Sequence, residues 1–181
     1  MLFILIVGMP GSGKSVVVEV ARGLGLPVYT MGDVVREETS KRYGIITPEL
    51  MVSTSRDLRR ERGDNIIAVK TIERIREKEG AVVIDGVRSL IEVNEFRRHG
   101  EVIIIAVHAS PRTRFKRLLE RKRPGDPASY SEFLKRDMTE LEFGVGSVIA
   151  LADYMIVNES SIEDAKKEAV RILREVVEKH G

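Results

Sequence analysis

The stretch Leu2-Phe-Ile-Leu-Ile-Val-Gly8-Met-Pro-Gly-Ser-Gly13-Lys14-Ser15 decides how the rest of the chain is read. Phe3–Val7 is continuously apolar, as a parallel strand covered on both faces must be. Gly8, Met9, Pro10, Gly11, Ser12, Gly13, Lys14 and Ser15 then fit G-x-x-x-x-G-K-[ST], and Val16–Ala21 supplies the helix that this pattern needs downstream. The glycines let successive backbone N–H groups turn inward onto phosphates, and the helix N-terminus adds positive potential. Lys14 is placed to reach the β- and γ-phosphates of ATP, and the Ser15 hydroxyl to ligate Mg²⁺. The competing account is a plain glycine turn between strand and helix. A dinucleotide fingerprint is excluded, because Gly11-Ser-Gly13 is followed by Lys14-Ser15-Val16 and the third glycine is missing.

Working outward, four more strand candidates follow: Val28–Tyr29, Ala81–Asp85, Val102–His108 and Tyr154–Val157. Between them lie segments of helical period with their own punctuation. Thr47-Pro48 predicts an N-cap with proline in the first turn, for a helix running to Gly63. Asp64 is expected to cap a helix reaching Glu79, stopped by Gly80. Ser89…Glu92 and Ser129…Glu132 match the capping-box spacing. From Ser161, Ile162, Ala165, Ala169, Ile172 and Val176 form one apolar stripe. This β–α alternation predicts an α/β three-layer sandwich with a five-stranded, mostly parallel sheet. Residues 33–79 and 111–150 interrupt it with helices alone, the second around Pro124-Gly125-Asp126-Pro127, and both read as insertions above the sheet's carboxyl edge.

The composition narrows the class. A chain of 181 residues fits one domain and needs no disulfide or metal staple; it has no cysteine, which excludes thiolate chemistry. Charged residues make up 32%, glutamine is absent and the only asparagines are Asn65, Asn94 and Asn158, an amide-poor profile expected of a thermophile's cytoplasmic protein. Leu2–Val7 is too short to span a membrane and lacks the flanks of a signal peptide. The net charge of +2 does not by itself argue for nucleic acid, and no apolar stripe argues an oligomeric state.

The arginines carry the rest. Thr30-Met-Gly32-Asp33-Val-Val-Arg36 follows the second strand and starts a helix, with Arg36 expected in its first turn. A cation there opposes the helix dipole and suggests an anionic ligand, against a simple surface pair with a neighbouring acid. Asp85, at the tip of an apolar strand, is costly unless paired or serving the outer sphere of Mg²⁺. Gly86 permits close approach of a ligand, and Arg88 stands at the next helix start; an Asp85–Arg88 ion pair is the competing account. Arg112 to Arg123 holds seven basic residues and one acid, with Arg114, Arg117 and Arg121 on one helix face. Phosphoryl transfer needs spread positive charge more than a general base, and arginine's planar fork suits it. The three histidines read as structural.

These motifs together resemble the nucleoside monophosphate kinases, adenylate kinase above all, over nearly the whole chain. Gly8–Ser15 matches that family's phosphate loop. Thr30–Arg36 resembles its Thr-Gly-Asp-x-x-Arg with Met31 inserted, and Asp85-Gly-Val-Arg88 resembles Asp-Gly-Phe-Pro-Arg one residue shorter. Arg117 and Arg121 match the pair before the lid, and Arg123, Asp126 and Arg136 the set after it. Lys135-Arg-Asp137 through Glu140 to Ala152–Asn158 is also similar to dephospho-coenzyme A kinase, whose early acidic substrate motif is missing here. The nearest resemblance is to archaeal adenylate-kinase-related proteins of unassigned substrate.

The resemblance implies one kinase domain over residues 1–181, with a helical acceptor-binding region at 33–79 and a short lid at 121–137. It implies Mg²⁺ with ATP as cofactor and a nucleoside monophosphate, AMP first, as acceptor. Gly32, Asp33, Arg36, Asp85, Gly86 and Arg88 would hold the acceptor, and Lys14, Arg88, Arg117, Arg121, Arg123 and Arg136 would act in transfer. Two alternatives stay open: dephospho-coenzyme A as acceptor, or an ATPase-type assembly factor whose Arg56–Arg62 and Arg112–Arg123 clusters face a protein or RNA partner.

Overall fold

A computed structural model describes all of residues 1–181. In chain order the elements are β1 (Leu2–Val7), α1 (Lys14–Gly23), β2 (Val28–Thr30), α2 (Met31–Tyr43), α3 (Pro48–Arg62), α4 (Ile66–Ile72), β3 (Ala81–Asp85), α5 (Leu90–Arg97), β4 (Glu101–His108), α6 (Pro111–Arg121), α7 (Tyr130–Phe143), α8 (Val145–Ala150), β5 (Tyr154–Val157) and α9 (Ile162–His180). The strands lie in the order β2-β3-β1-β4-β5, and every pairing is parallel.

Every residue of β1 is buried, because it is the central strand and helices cover both faces. Phe3, Leu5 and Val7 face a core completed by α2, α3, α4, α5 and α8 through Val34, Leu58, Ile67, Phe96 and Val148. Leu2, Ile4 and Ile6 face the opposite core, where α1 and α9 contribute Val17, Ala21, Ala169, Ile172 and Val176. From β1 the chain runs through α1 to the edge strand β2, whereas from its neighbour β4 it runs to β5 at the opposite edge, and this parting of the connections opens a crevice beyond their carboxyl ends.

The capping signals behave as expected at three helices, and a fourth, α9, is capped in the same way. The hydroxyls of Thr47, Ser89, Ser129 and Ser161 accept from the backbone N–H groups of Leu50, Glu92, Glu132 and Asp164. Glu92 and Glu132 each reach one residue further back than the capping box requires, accepting from the N–H of Arg88 and Ala128.

Three expectations are corrected. Helix α4 starts after Asn65 rather than being capped by Asp64, and it ends at Ile72, not Glu79. The tyrosine of β2 is the reason: its hydroxyl accepts from Arg76 N–H and donates to Glu77 (2.6 Å), drawing the chain out of helical register. Helix α2 starts at Met31, which puts Asp33 in its first turn and Arg36 in its second. Ile162 is exposed, since it precedes the part of α9 that reaches the sheet. The structure also shows an exposed apolar stripe that the sequence did not make clear, Tyr130, Leu134, Met138 and Leu141 along α7.

Candidate active site

The phosphate loop bends as its glycines allow. Gly13 has φ +100, and a Cβ there would lie 2.1 Å from Asn158 Nδ2; one at Gly8 would lie 2.4 Å from the Val107 carbonyl oxygen. Only glycine fits either position without moving its neighbours. Lys14 Nζ donates to the carbonyls of Gly8 (2.7 Å) and Met9 (3.3 Å), folded over its own loop. Burial pulls the Lys14 ammonium below the usual lysine range, while Asp85 and Glu140 oppose that shift.

A cavity of about 370 Å³ opens above this loop. Gly8, Pro10, Gly11, Gly13, Lys14 and Ser15 line it from the phosphate loop, and Asp85, Gly86 and Arg88 from the end of β3. Arg117, Arg121, Arg123, Arg136 and Glu140 complete the lining from α6, α7 and the segment between them. All six cations expected to act in transfer therefore meet in one place. The sequence distributes them over 123 positions from Lys14 to Arg136; α6, α7 and the segment between them bring the last four together.

Their partners differ. Arg88 does not pair with Asp85; its Nε and Nη2 donate to Glu140 of α7 at 2.7 and 3.3 Å. Burial disfavours the Glu140 carboxylate, but Arg88, then Lys14 and Arg136, outweigh it and hold it below the usual range. Asp85 is left with its buried Oδ1 unpartnered. Burial pushes its carboxyl above the usual range against the pull of Lys14 and Arg88. Arg121 and Arg136 both donate to Asp126, at 2.5–2.8 Å and 3.0 Å, and Asp126 also accepts from the Arg123 N–H. The Arg121 bond, helped by Arg123 and Arg136 and opposed only by desolvation, holds the Asp126 carboxyl far below its usual range. Arg117 donates through Nη2 to the Asn158 carbonyl (2.9 Å), and its buried Nη1 has no partner.

An unpartnered buried carboxylate oxygen beside Ser15 suits a cation that takes most of its ligands from phosphate and water, so Asp85 and Ser15 fit Mg²⁺ carried in with a nucleotide. No cluster of three acidic or histidine side chains could hold a metal on its own.

Gly32, Asp33 and Arg36 do not line the cavity. Thr30 pairs in register with Asp85, so α2 starts at the same sheet edge, but Arg36 is ion-paired to Asp33 on an exposed surface. The two basic clusters considered for a partner are partly internal. Arg59 is paired with fully buried Glu92 (2.6 Å), and Arg114 with Asp137 (2.5 Å). Sequence reasoning did not place three residues that build the site: Glu140, which lines the cavity, and Asn158 and Arg114, which brace the phosphate loop through the Ser12 and Pro10 carbonyls. Glu140 has a readable signal, since it lies four residues after Arg136 and so shares its helix face.

The comparisons with known proteins accord with this geometry. Residues 7–135 match the family described as AAA domain. The whole chain is 59% identical to a UPF0200 protein of Staphylothermus marinus, spanning 100% of this chain and 96% of that one. The chain belongs to the UPF0200 family. Another UPF0200 protein, MJ1399 of Methanocaldococcus jannaschii, is 47% identical over 98% of this chain and 91% of its own length. These UPF0200 relatives come from thermophilic archaea, in line with the amide-poor composition.

Among solved structures, TT1252 from Thermus thermophilus superposes with a TM-score of 0.67 at 20% identity, over 97% of both chains. A gluconokinase from Sinorhizobium meliloti gives 0.59 at 18% identity, over 97% of this chain and 93% of its own. A shikimate kinase from Acinetobacter baumannii, in complex with shikimate, gives 0.58 at 16%, over 98% and 93%. At such identities the likeness concerns the fold, and the UPF0200 fold is the α/β fold of P-loop kinases. No helix is long and apolar enough to cross a membrane.

Proposed function

We propose that this chain is an ATP-dependent phosphotransferase that moves the γ-phosphoryl group of ATP to a nucleoside monophosphate, with AMP the first acceptor. The observation that carries the reading is the meeting of Lys14, Arg88, Arg117, Arg121, Arg123 and Arg136 around one cavity above a phosphate loop. Gly8–Ser15 hold the donor phosphates through backbone N–H groups and Lys14. Ser15, with Asp85 through water, would hold Mg²⁺, which would supply positive charge to the donor phosphates.

Arg88 and Gly86 face the acceptor, with Gly32, Asp33 and Arg36 at the adjoining edge, where the 33–79 region begins, as further acceptor contacts. An oxygen of the acceptor phosphate bonds to the γ-phosphorus while the bond from that phosphorus to the bridging oxygen breaks, and ADP leaves with the electron pair. Arg117, Arg121, Arg123 and Arg136 stabilise the charge that builds up, as the 121–137 lid excludes water.

A product-formation screen with ATP, Mg²⁺ and AMP, CMP, GMP, UMP or dephospho-coenzyme A tests the reading. AMP should turn over fastest. Lys14→Ala should abolish turnover, and Arg88→Ala should raise the acceptor KM more than the ATP KM. Equal weakening of both ligands would contradict the assigned roles. ATP hydrolysis that no acceptor accelerates would contradict the kinase reading altogether.

A further inference from the structure

We propose that Arg114 and Asp137 are positioning residues that lock the phosphate loop to helix α7 and thereby set the place of Arg136 and Glu140 in the cavity. The proposal rests on the nucleotide-binding part of the reading above and not on the identity of the acceptor.

Arg114 is 4% exposed, although the cavity wall is built from neighbouring arginines of the same helix. Its guanidinium is used on every edge. Nε donates to the Ala109 carbonyl (3.2 Å) and Nη1 to the carbonyl of Pro10 in the phosphate loop (3.1 Å). Nη1 and Nη2 also donate as a fork to Asp137, at 2.8 and 2.5 Å. The flat face lies over the Phe133 ring, 5.0 Å from its centroid. Only a planar fork can meet a loop carbonyl, a strand-end carbonyl and a carboxylate at once; lysine offers a point charge instead. The backbone takes part too, since a Cβ at Gly11 would lie 2.9 Å from the Arg114 carbonyl oxygen.

On α7, Asp137 stands directly after Arg136 and three residues before Glu140. Fixing Asp137 therefore fixes the rotation and height of both cavity side chains. A slip of one residue would turn them by about 100° and shift them by about 1.5 Å, and misplacement of about 1 Å can cost about a hundredfold in rate. The other side-chain ties of α7 to the site run from Arg136 to Asp126 and the Gly125 carbonyl and from Glu140 to Arg88, and they start from the side chains being positioned. The Arg114–Asp137 pair is the tie that ends on the phosphate loop itself.

The test is a mutant cycle read by calorimetric titration with MgATP, which needs no acceptor. A buried ion pair can be replaced by apolar residues of similar volume with little loss of stability, so the pair is changed to R114M/D137L. In the unaltered background Arg136→Ala should weaken MgATP binding roughly tenfold, the loss of one charge-assisted contact. In the R114M/D137L background the same change should weaken it less than about twofold, because Arg136 is already displaced. A merely structural pair would leave the Arg136 effect undiminished, and an equal tenfold loss in both backgrounds overturns the proposal. If R114M/D137L does not fold, Asp137→Asn takes its place in the cycle with the same two outcomes. An unaltered chain that binds no MgATP overturns the nucleotide reading and this proposal together, whereas binding with additive effects overturns this proposal alone.

Discussion

Asn158→Ala isolates a contact that ties the two ends of the chain together at the phosphate loop. Asn158 is buried, and its Nδ2 donates to the carbonyl of Ser12 at 2.9 Å. Its own N–H donates to the His108 carbonyl (2.7 Å), and its carbonyl accepts from Arg117 (2.9 Å); alanine keeps both of these backbone bonds. The substitution therefore removes the donor to Ser12 and a long contact in which Oδ1 accepts from Arg117 (3.4 Å), and it leaves the Ser12 carbonyl unsatisfied in a buried place, which costs about 1–3 kcal/mol. The lost amide leaves a hole of roughly 30 Å³, adding about 0.7 kcal/mol if nothing collapses into it.

For a chain of this size each kcal/mol moves the melting temperature by about 2–4 °C, so a drop of roughly 3–15 °C is expected in calorimetry. The same variant should weaken MgATP binding, since the freed Ser12 carbonyl lets the loop sample other conformations. A melting temperature within about 1 °C of the original, well below that range, together with unchanged MgATP affinity, would refute the argument. It would mean that the backbone bonds alone hold the loop.

Three further outcomes follow from the same geometry. Gly13→Ala forces a Cβ to within 2.1 Å of Asn158 Nδ2 at φ +100, so MgATP binding should be lost in titration while circular dichroism keeps its helical signature. Asp126 has its carboxyl pKa lowered in the folded state, first by Arg121. Its contribution to stability is then fully present above the unfolded value of about 3.9 and is lost as pH falls toward the folded one. Asp126→Asn should therefore flatten the acid limb of a denaturation profile below about pH 4, and an unchanged limb would count against the pairing. Tyr29→Phe should release residues 73–79 from β2, raising amide exchange there and leaving exchange in α2 and α3 unaffected.

The elements that could be read from sequence are those whose local signals agree with their tertiary surroundings. Ala81–Asp85 and Tyr154–Val157 have the expected bounds because apolar runs bracketed by turns have no competing arrangement. Helix α3 starts and stops where Thr47-Pro48 and Gly63 place it. The residues after Ile72 failed because a tyrosine more than forty positions away supplied better partners than another helical turn. Arg36 failed on a smaller scale. Two more residues of helix at the start of α2 moved it from the first turn to the second and left it beside Asp33. Asn158 gave no local signal at all; only the placing of β5 beside β4 brings it to Ser12.

The arginines of α6 show why a face of a helix is not yet a function. Arg114, Arg117 and Arg121 share one stripe, and the stripe passes three different environments. The first turn of α6 follows β4 beneath the phosphate loop, so Arg114 is enclosed and becomes a strut to Pro10 and Asp137. One turn on, Arg117 bonds to Asn158 with one arm and keeps the other buried but unpartnered, which is costly unless an anion completes it. At the last turn Arg121 reaches the lid segment and binds Asp126, a carboxylate it shares with Arg136. Sequence spacing assigns the three arginines to one surface; their depth beneath the loop decides which of them can meet a phosphate. A charge total of +2 cannot express this, because the acids that balance the arginines are mostly held as their partners or lie away from the cavity.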